Sequence, residues 1–368
     1  MTFMDVFRGR NRKLLWRRVP DDHVLEDAGK PAFRRETIAR DEDYIVLRMN
    51  EMWIVDARRL WRKFYPMLHA YVEYGARRAH DIVGPGQLRQ FGEQNLERVS
   101  AFNHLLVGPL PHRGHELKAL VGLYAIPGAD SAKALVDVVA SVAALAGPGG
   151  AAAAAITGVV KDSVDKIVGL ADTALQVGVE NTWPANAPLE TGFYVGIDAE
   201  DREVDLGSLW ITPERRLLAG KDPLQGRLFD DHDYMVLSLE RQTHNPGWAT
   251  LSTVAEAEAA LDQIMTTATP TDDKRRQLTA TWPKFQGALL GAPDLTIKDA
   301  KAIAVTVKQK LIEQLAEEEG GGFEKRSLAS MRGIVDPFDA AEQELADAGM
   351  EAVTAAQFDK RLAELRFE

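Results

Sequence analysis

The chain has 368 residues, 45% of them hydrophobic and 27% charged, the proportions of a globular protein long enough for a real core and for two or three domains. A formal net charge of −11 argues against nucleic acid as the main partner. The absence of cysteine excludes structural disulfides, thiolate nucleophiles and Cys-ligated zinc.

Residues 1–43 read as a basic arm followed by a polar, irregular loop. Arg8, Arg10, Arg12, Lys13, Arg17 and Arg18 lie close together, with Leu14, Leu15 and Trp16 among them. A basic segment with an embedded aromatic suits an anionic membrane surface, a phosphate backbone or a partner surface, although short basic runs are commonly solvated or docked arms. The segment lacks the uninterrupted apolar core of a secretory signal, and Arg366-Phe367-Glu368 carries no prenylation box. Both features predict a cytoplasmic protein, and frequent Ala, Arg, Asp and Gly give the composition a bacterial cast.

Tyr44–Met49 predicts a strand. Ala57–Glu73 predicts an amphipathic helix, with Leu60, Phe64, Met67, Leu68 and Tyr71 on one side and Pro66 as a kink point. Trp53, Trp61, Phe64, Tyr65, Tyr71 and Tyr74 make this the most aromatic part of the chain, and it is read as core. After the Gly84-Pro85-Gly86 turn, a polar helix is predicted over 87–102. Leu105–Gly108 and Leu117–Tyr124 predict strands around a Pro/Gly-rich loop. The loop carries His112 and His115, whose spacing invites a metal hypothesis but which have no third ligand nearby.

Residues 131–179 predict an Ala/Gly-rich helical hairpin, with helices over Ser131–Ala146 and Ala151–Val177 and a turn at Gly147-Pro148-Gly149-Gly150. Ala and Gly are weakly apolar, and the central Gly-Pro-Gly-Gly breaks a helix, so a membrane span is the poorer reading. Ile156, Val160, Val164, Ile167, Ala171 and Leu175 form one stripe at helical spacing. A buried core hairpin explains it most simply. The functional alternative is a hairpin that leaves its packing and offers Ile156, Val160 and Val164 to a membrane or a partner. Gly147 to Ala152 also fits G-x-G-x-x-A, but the dinucleotide context of a preceding strand and a later acidic residue is missing. No cofactor is expected.

Trp183–Pro188 reads as a turn, and Gly192–Ile197, Glu203–Ile211, Arg216–Leu218 and Tyr234–Glu240 as strands. Strands on both sides of the hairpin make it an insertion in one α+β domain over 44–250. Asp230, Asp231, His232 and Asp233 could hold a divalent ion or supply a general base. Neighbours on an extended chain point to opposite faces, however, so the four cannot converge on one ligand, and an ordinary polar turn leading into a strand explains the cluster better.

From Leu251 the pattern is helical. Ser252 or Thr253, Thr271-Asp272-Asp273 and Thr296 are placed to cap three helices, the third over Ile297–Glu319, and these make a bundle over 251–319. Pro283 is a kink point in the second. Gly320, Gly321 and Gly322 open a flexible linker over 320–326. A two-helix tail fills 327–368, with Gly349 ending its first helix and Thr354 and Gln357 boxing its second.

The expected fold is α+β: a mixed or antiparallel sheet with the inserted hairpin, followed by a C-terminal helical bundle. The sequence shows no P-loop, nucleophile elbow or zinc-protease motif. The expected function is a non-catalytic binding, regulatory or effector component that acts through a protein partner and is controlled through its tethered tail. One alternative is a membrane-active effector that releases the hairpin, with peripheral membrane contact. The other is a metal-dependent hydrolase built on His112, His115, Asp230, His232 or Asp233. The oligomeric state is left open by the sequence.

Overall fold

The computed structural model describes residues 14–26, 30–31, 33–55, 58–59, 62–83, 98–99, 103–127, 174–200, 202–319 and 355–367. The first strands are β1 (Leu15–Arg18), β2 (Leu25–Glu26), β3 (Lys30–Pro31), β4 (Tyr44–Trp53), β5 (Arg58–Arg59), β6 (Arg62–Tyr74), β7 (Arg77–Val83) and β8 (Arg98–Val99). They are followed by β9 (His104–Pro111), β10 (Leu117–Pro127), β11 (Ala174–Trp183), β12 (Gly192–Ile197), β13 (Leu209–Ile211), β14 (Leu217–Ala219), β15 (Arg227–Leu228) and β16 (Tyr234–Gln242). The helices are α1 (Ser252–Thr266), α2 (Thr271–Gly291), α3 (Ile297–Glu319) and α4 (Ala355–Glu364). The fold is α+β.

The chain divides into two units. The first comprises Met1–Thr37, Val46–Gly108 and Gly114–Arg241, and the second Ile38–Ile45, Pro109–Arg113 and Gln242–Glu368.

In the first unit, one sheet has the order β1-β12-β16-β4-β8, with β9 also pairing β4. A second has the order β11-β10-β6-β5, with β7 also pairing β6. Antiparallel register sets Val195 opposite Val236 and Ile197 opposite Tyr234. Strand alternation puts these residues and Phe193 on one face. With Leu15, Val24, Ile211, Leu217 and Phe229 they form one core. The other face of β12 lies against β11. A Cβ at Gly196 would stand 3.2 and 3.3 Å from methyl groups of Val179 and Val177, so glycine permits this close approach.

Several sequence expectations are corrected here. Ala57–Glu73 is not a helix: β5 and the long strand β6 occupy it. Pro66 to Val72 are all buried, so both strand faces are apolar and any periodicity can be found in them. Opposite β6, β10 supplies the ladder from Leu117↔Tyr74 to Pro127↔Phe64. The end of the predicted hairpin, Ala174–Val177, belongs to β11. There Val177 and Val179 are buried while Glu180 is exposed, a period of two. Arg98–Val99, assigned to a helix from sequence, is a short strand on Met52–Trp53. Residues 203–208 contain a turn and one helical turn, Leu206–Ser208, and only Leu209–Ile211 is strand. The hairpin residues 131–173, the linker 320–326 and the first tail helix lie outside the described residues.

In the second unit, α1, α2 and α3 share a core built on Val254, Leu261, Leu278, Phe285, Ile303 and Leu311. Thr296 caps α3 as predicted, its Oγ1 accepting from the Asp299 N–H at 3.1 Å. The helices α1 and α2 begin after Leu251 and Pro270 instead, without side-chain caps. Pro283 is carried inside α2. Lys274 on α2 is buried, and its Nζ donates to the Met265 carbonyl at 2.9 Å and to Glu318 at 2.7 and 2.8 Å. That ion pair joins the start of α2 to the end of α3. The helix α4 adds Phe358, Leu362 and Leu365 to the same core.

Candidate functional site

The first unit carries a cleft of about 590 Å³. Its floor is strand: Phe193 on β12 with Ser238 and Glu240 on β16. One wall is Val24–Glu26 with Phe33, Arg34 and Glu36, and the other is the turn holding Thr212, Pro213 and Arg215. The turn is closed by Arg215 N–H to the Thr212 carbonyl at 2.8 Å. Arg215 sits at φ 64°, the left-handed region that is costly for a residue with a Cβ.

Charge in the cleft is matched across ion pairs, with Glu240 shared by two arginines. Arg215 Nη1 donates to Glu240 Oε1 at 2.9 Å, and Arg48 Nε to Glu240 Oε2 at 3.0 Å. Ser238 Oγ also donates to Glu240 Oε1, at 2.8 Å. Arg241 Nη1 donates to Glu36 Oε2 at 3.3 Å. The Arg215 guanidinium lies 5.0 Å from the centre of the Phe193 ring, and Phe33 meets that ring edge-on at 5.6 Å. This is a cation–π contact backed by an aromatic pair. Arg34 is exposed and has no ion-pair partner among the described residues.

The second unit holds a different polar cluster, centred on the fully buried Asp299. Its Oδ2 accepts from Tyr44 O–H at 2.5 Å and from the Asn245 N–H at 2.9 Å. Its Oδ1 lies 2.7 Å from His244 Nδ1. Tyr44 Oη in turn accepts from the Thr296 N–H at 3.0 Å. The carboxylate therefore ties two distant segments, at Tyr44 and at His244–Asn245, to the first turn of α3. An Asp–His pair can orient an imidazole for proton transfer, but here the acid's second oxygen is also committed to structural donors.

Burial and the nearby Asp299 push the Tyr44 phenol well above its ordinary pKa of 10.0. Burial does the same to Tyr124 in the first unit, and burial with Glu73 nearby pushes Tyr71 up to about 12. A raised tyrosine stabilises the fold below its unfolded value, and that stability is lost as pH rises through the folded value. Stability is therefore expected to fall above about pH 10, where unfolded tyrosines ionise. Urea midpoints across pH 8–11 measure this. Tyr44→Phe should give a shallower alkaline fall, and identical slopes would refute the assignment to Tyr44.

The residues singled out from sequence are dispersed. Trp16, Arg17 and Arg18 form β1 at the edge of a sheet. Trp16 stacks on Tyr194 at 5.5 Å, and Arg18 donates to the Thr191 carbonyl at 2.8 Å. Arg8, Arg10, Arg12, Lys13, Ile156, Val160, Val164, Gly320, Gly321 and Gly322 lie outside the described residues. His112 is buried in the second unit, its backbone bonded to Asp41 and Asp43. His115 in the first unit packs edge-on to Tyr74 at 5.5 Å. Asp230 and Asp231 pair with Arg227, each at 2.5 Å. His232 stacks on Phe229 at 5.9 Å, and Asp233 Oδ1 accepts from the Val55 N–H at 2.6 Å. Among the described residues, no group of three or more His, Cys, Asp or Glu is placed to hold a metal ion. Nor is any described helix long and apolar enough to cross a membrane.

Sequence reasoning missed the cleft. Phe33, Arg34 and Glu36 fall in a stretch that reads only as irregular, and Arg215 falls between two predicted strands, just before Arg216–Leu218. Pro213 beside Thr212 was the available turn signal. The chain matches no protein-family profile, no curated protein and no solved structure.

Proposed function

We propose that this protein is a non-catalytic binding component that acts through a protein partner docked in the cleft of the first unit. The observation that carries the reading is the lining: three arginines and two phenylalanines around about 590 Å³. That volume lies in the range of about 300–1,000 Å³ usual for ligand sites. Among the described residues no histidine, lysine or cysteine lines it. The hydroxyl of Ser238 points to Glu240, whose oxygens already accept two guanidinium bonds. Glu240 thus serves to hold the arginines, which suits recognition better than turnover. Cytoplasmic location, an Ala/Gly-rich hairpin over 131–173, a separate C-terminal bundle and control through a tethered tail at 320–368 belong to the same proposal.

The test is affinity capture by the full-length protein from its own cells, with soluble and membrane fractions kept apart. Wild type should retain one stoichiometric soluble protein, and Phe33→Ala with Arg215→Ala should lose it. Capture that is indifferent to the cleft substitutions would overturn the reading. Recovery with membranes and no soluble partner would overturn it in favour of a membrane-active hairpin.

A further inference from the structure

We infer that the cleft takes an acidic peptide segment, with a carboxylate held by Arg34 and an adjacent apolar or aromatic side chain laid against Phe33. The inference rests on the binding reading above and names the chemistry of the partner. Of the three arginines in the lining, Arg215 is neutralised by Glu240 and Arg241 by Glu36. Arg34 has no such carboxylate among the described residues. A guanidinium presents a planar fork that fits a carboxylate with two parallel bonds.

Two threonine hydroxyls in the cleft are also poised to donate. Thr191 Oγ1 accepts from the Glu36 N–H at 3.0 Å, and Thr212 Oγ1 accepts from the Arg216 N–H at 3.1 Å. Each hydroxyl then has its hydrogen left to give, and no described residue receives it. Together with Arg34 they ask for a ligand rich in acceptors, which backbone carbonyls and a carboxylate supply.

The lining also discriminates among anions. Arg34, Arg215 and Arg241 are balanced by Glu26, Glu36 and Glu240, so the wall has no net formal charge. A polyphosphate or nucleic-acid backbone would meet three carboxylates there, and like charges in proximity are costly. A single carboxylate at Arg34 avoids that cost. A cleft of about 590 Å³ also exceeds what a lone ion fills, and the half-buried Phe33 offers it an apolar surface.

The test uses fluorescein-labelled hexapeptides with two central variable positions between glycines. The first is Asp, Glu, Asn or Gln, and the second Phe, Leu or Ala. Anisotropy with the full-length protein should show acid-plus-Phe or acid-plus-Leu peptides binding about tenfold more tightly than their amide counterparts. Arg34→Gln should erase that preference, and Arg34→Lys should keep part of it. Arg34 is exposed, so neither substitution threatens folding. Equal binding of acid and amide peptides, or none by either, would overturn the inference. If the cellular partner were still lost with Phe33→Ala and Arg215→Ala, the binding reading would survive that failure. Partner capture indifferent to the cleft would remove both.

Discussion

Replacing Asp299 with Ala is expected to destabilise the second unit by about 3–5 kcal/mol. The side chain is fully buried and accepts from Tyr44, Asn245 and His244. Truncation leaves three donors without an acceptor, and each buried orphan costs about 1–3 kcal/mol. Water cannot relieve them without opening the site. Asp299→Asn is the informative companion, because it keeps the shape and one accepting oxygen but loses the second. It should cost less than Ala, and so should Tyr44→Phe, which removes one donor and leaves the buried Thr296 N–H without its acceptor. Urea unfolding followed by helical circular dichroism gives the order directly. An Ala variant within about 1 kcal/mol of wild type would mean that the cluster does not hold the start of α3.

What the sequence revealed depended on the distance over which its signals act. Thr296 and the stripe from Ala300 to Leu315 lie within one helix, and α3 was read with its cap and both ends. Gly192–Ile197 was read with its bounds because an apolar run sits between turn residues. By contrast, Tyr44 and Asp299 are 255 positions apart, and nothing local to either announces the bond between them. The same limit hid the cleft, whose walls come from residues near 24–36, 191–193, 212–215 and 238–241. A cluster dense in chemistry-bearing residues, such as Asp230-Asp231-His232-Asp233, was easier to notice than to interpret. Arg227 and the Val55 N–H already engage three of those carboxylates. The error over Ala57–Glu73 has a different origin. Where a strand is buried on both sides, apolar residues occur at every position and helical spacing is found by coincidence.

Phe358→Ala is the second substitution with a large expected effect, a loss of about 3–5 kcal/mol in the attachment of α4. Phe358 is fully buried and stands with Leu362 and Leu365 in the core shared with α3. The spacing of these three residues gives α4 a single apolar face. Around that face the attachment is lighter. Phe367 meets Trp282 edge-on at 5.9 Å, and Lys308 lies 5.3 Å from the Phe367 ring and 5.4 Å from that of Trp282. Burial lowers the pKa of Lys308, as expected for an amine covered by rings. The pair between Lys301 and the half-exposed Asp359 adds little, since such pairs are worth about 0–1 kcal/mol. The anchor is therefore apolar, and removing its largest member should detach α4 before α1, α2 and α3 open. Hydrogen exchange measures this segment by segment: amides of 355–367 should lose protection while those of α1–α3 keep it. Loss of protection in all four helices together would show that α4 is integral to the core and would remove the physical basis for control by a releasable tail. Selective loss would instead supply a folded protein with its tail undocked, in which partner capture can be compared with wild type without deleting any residue.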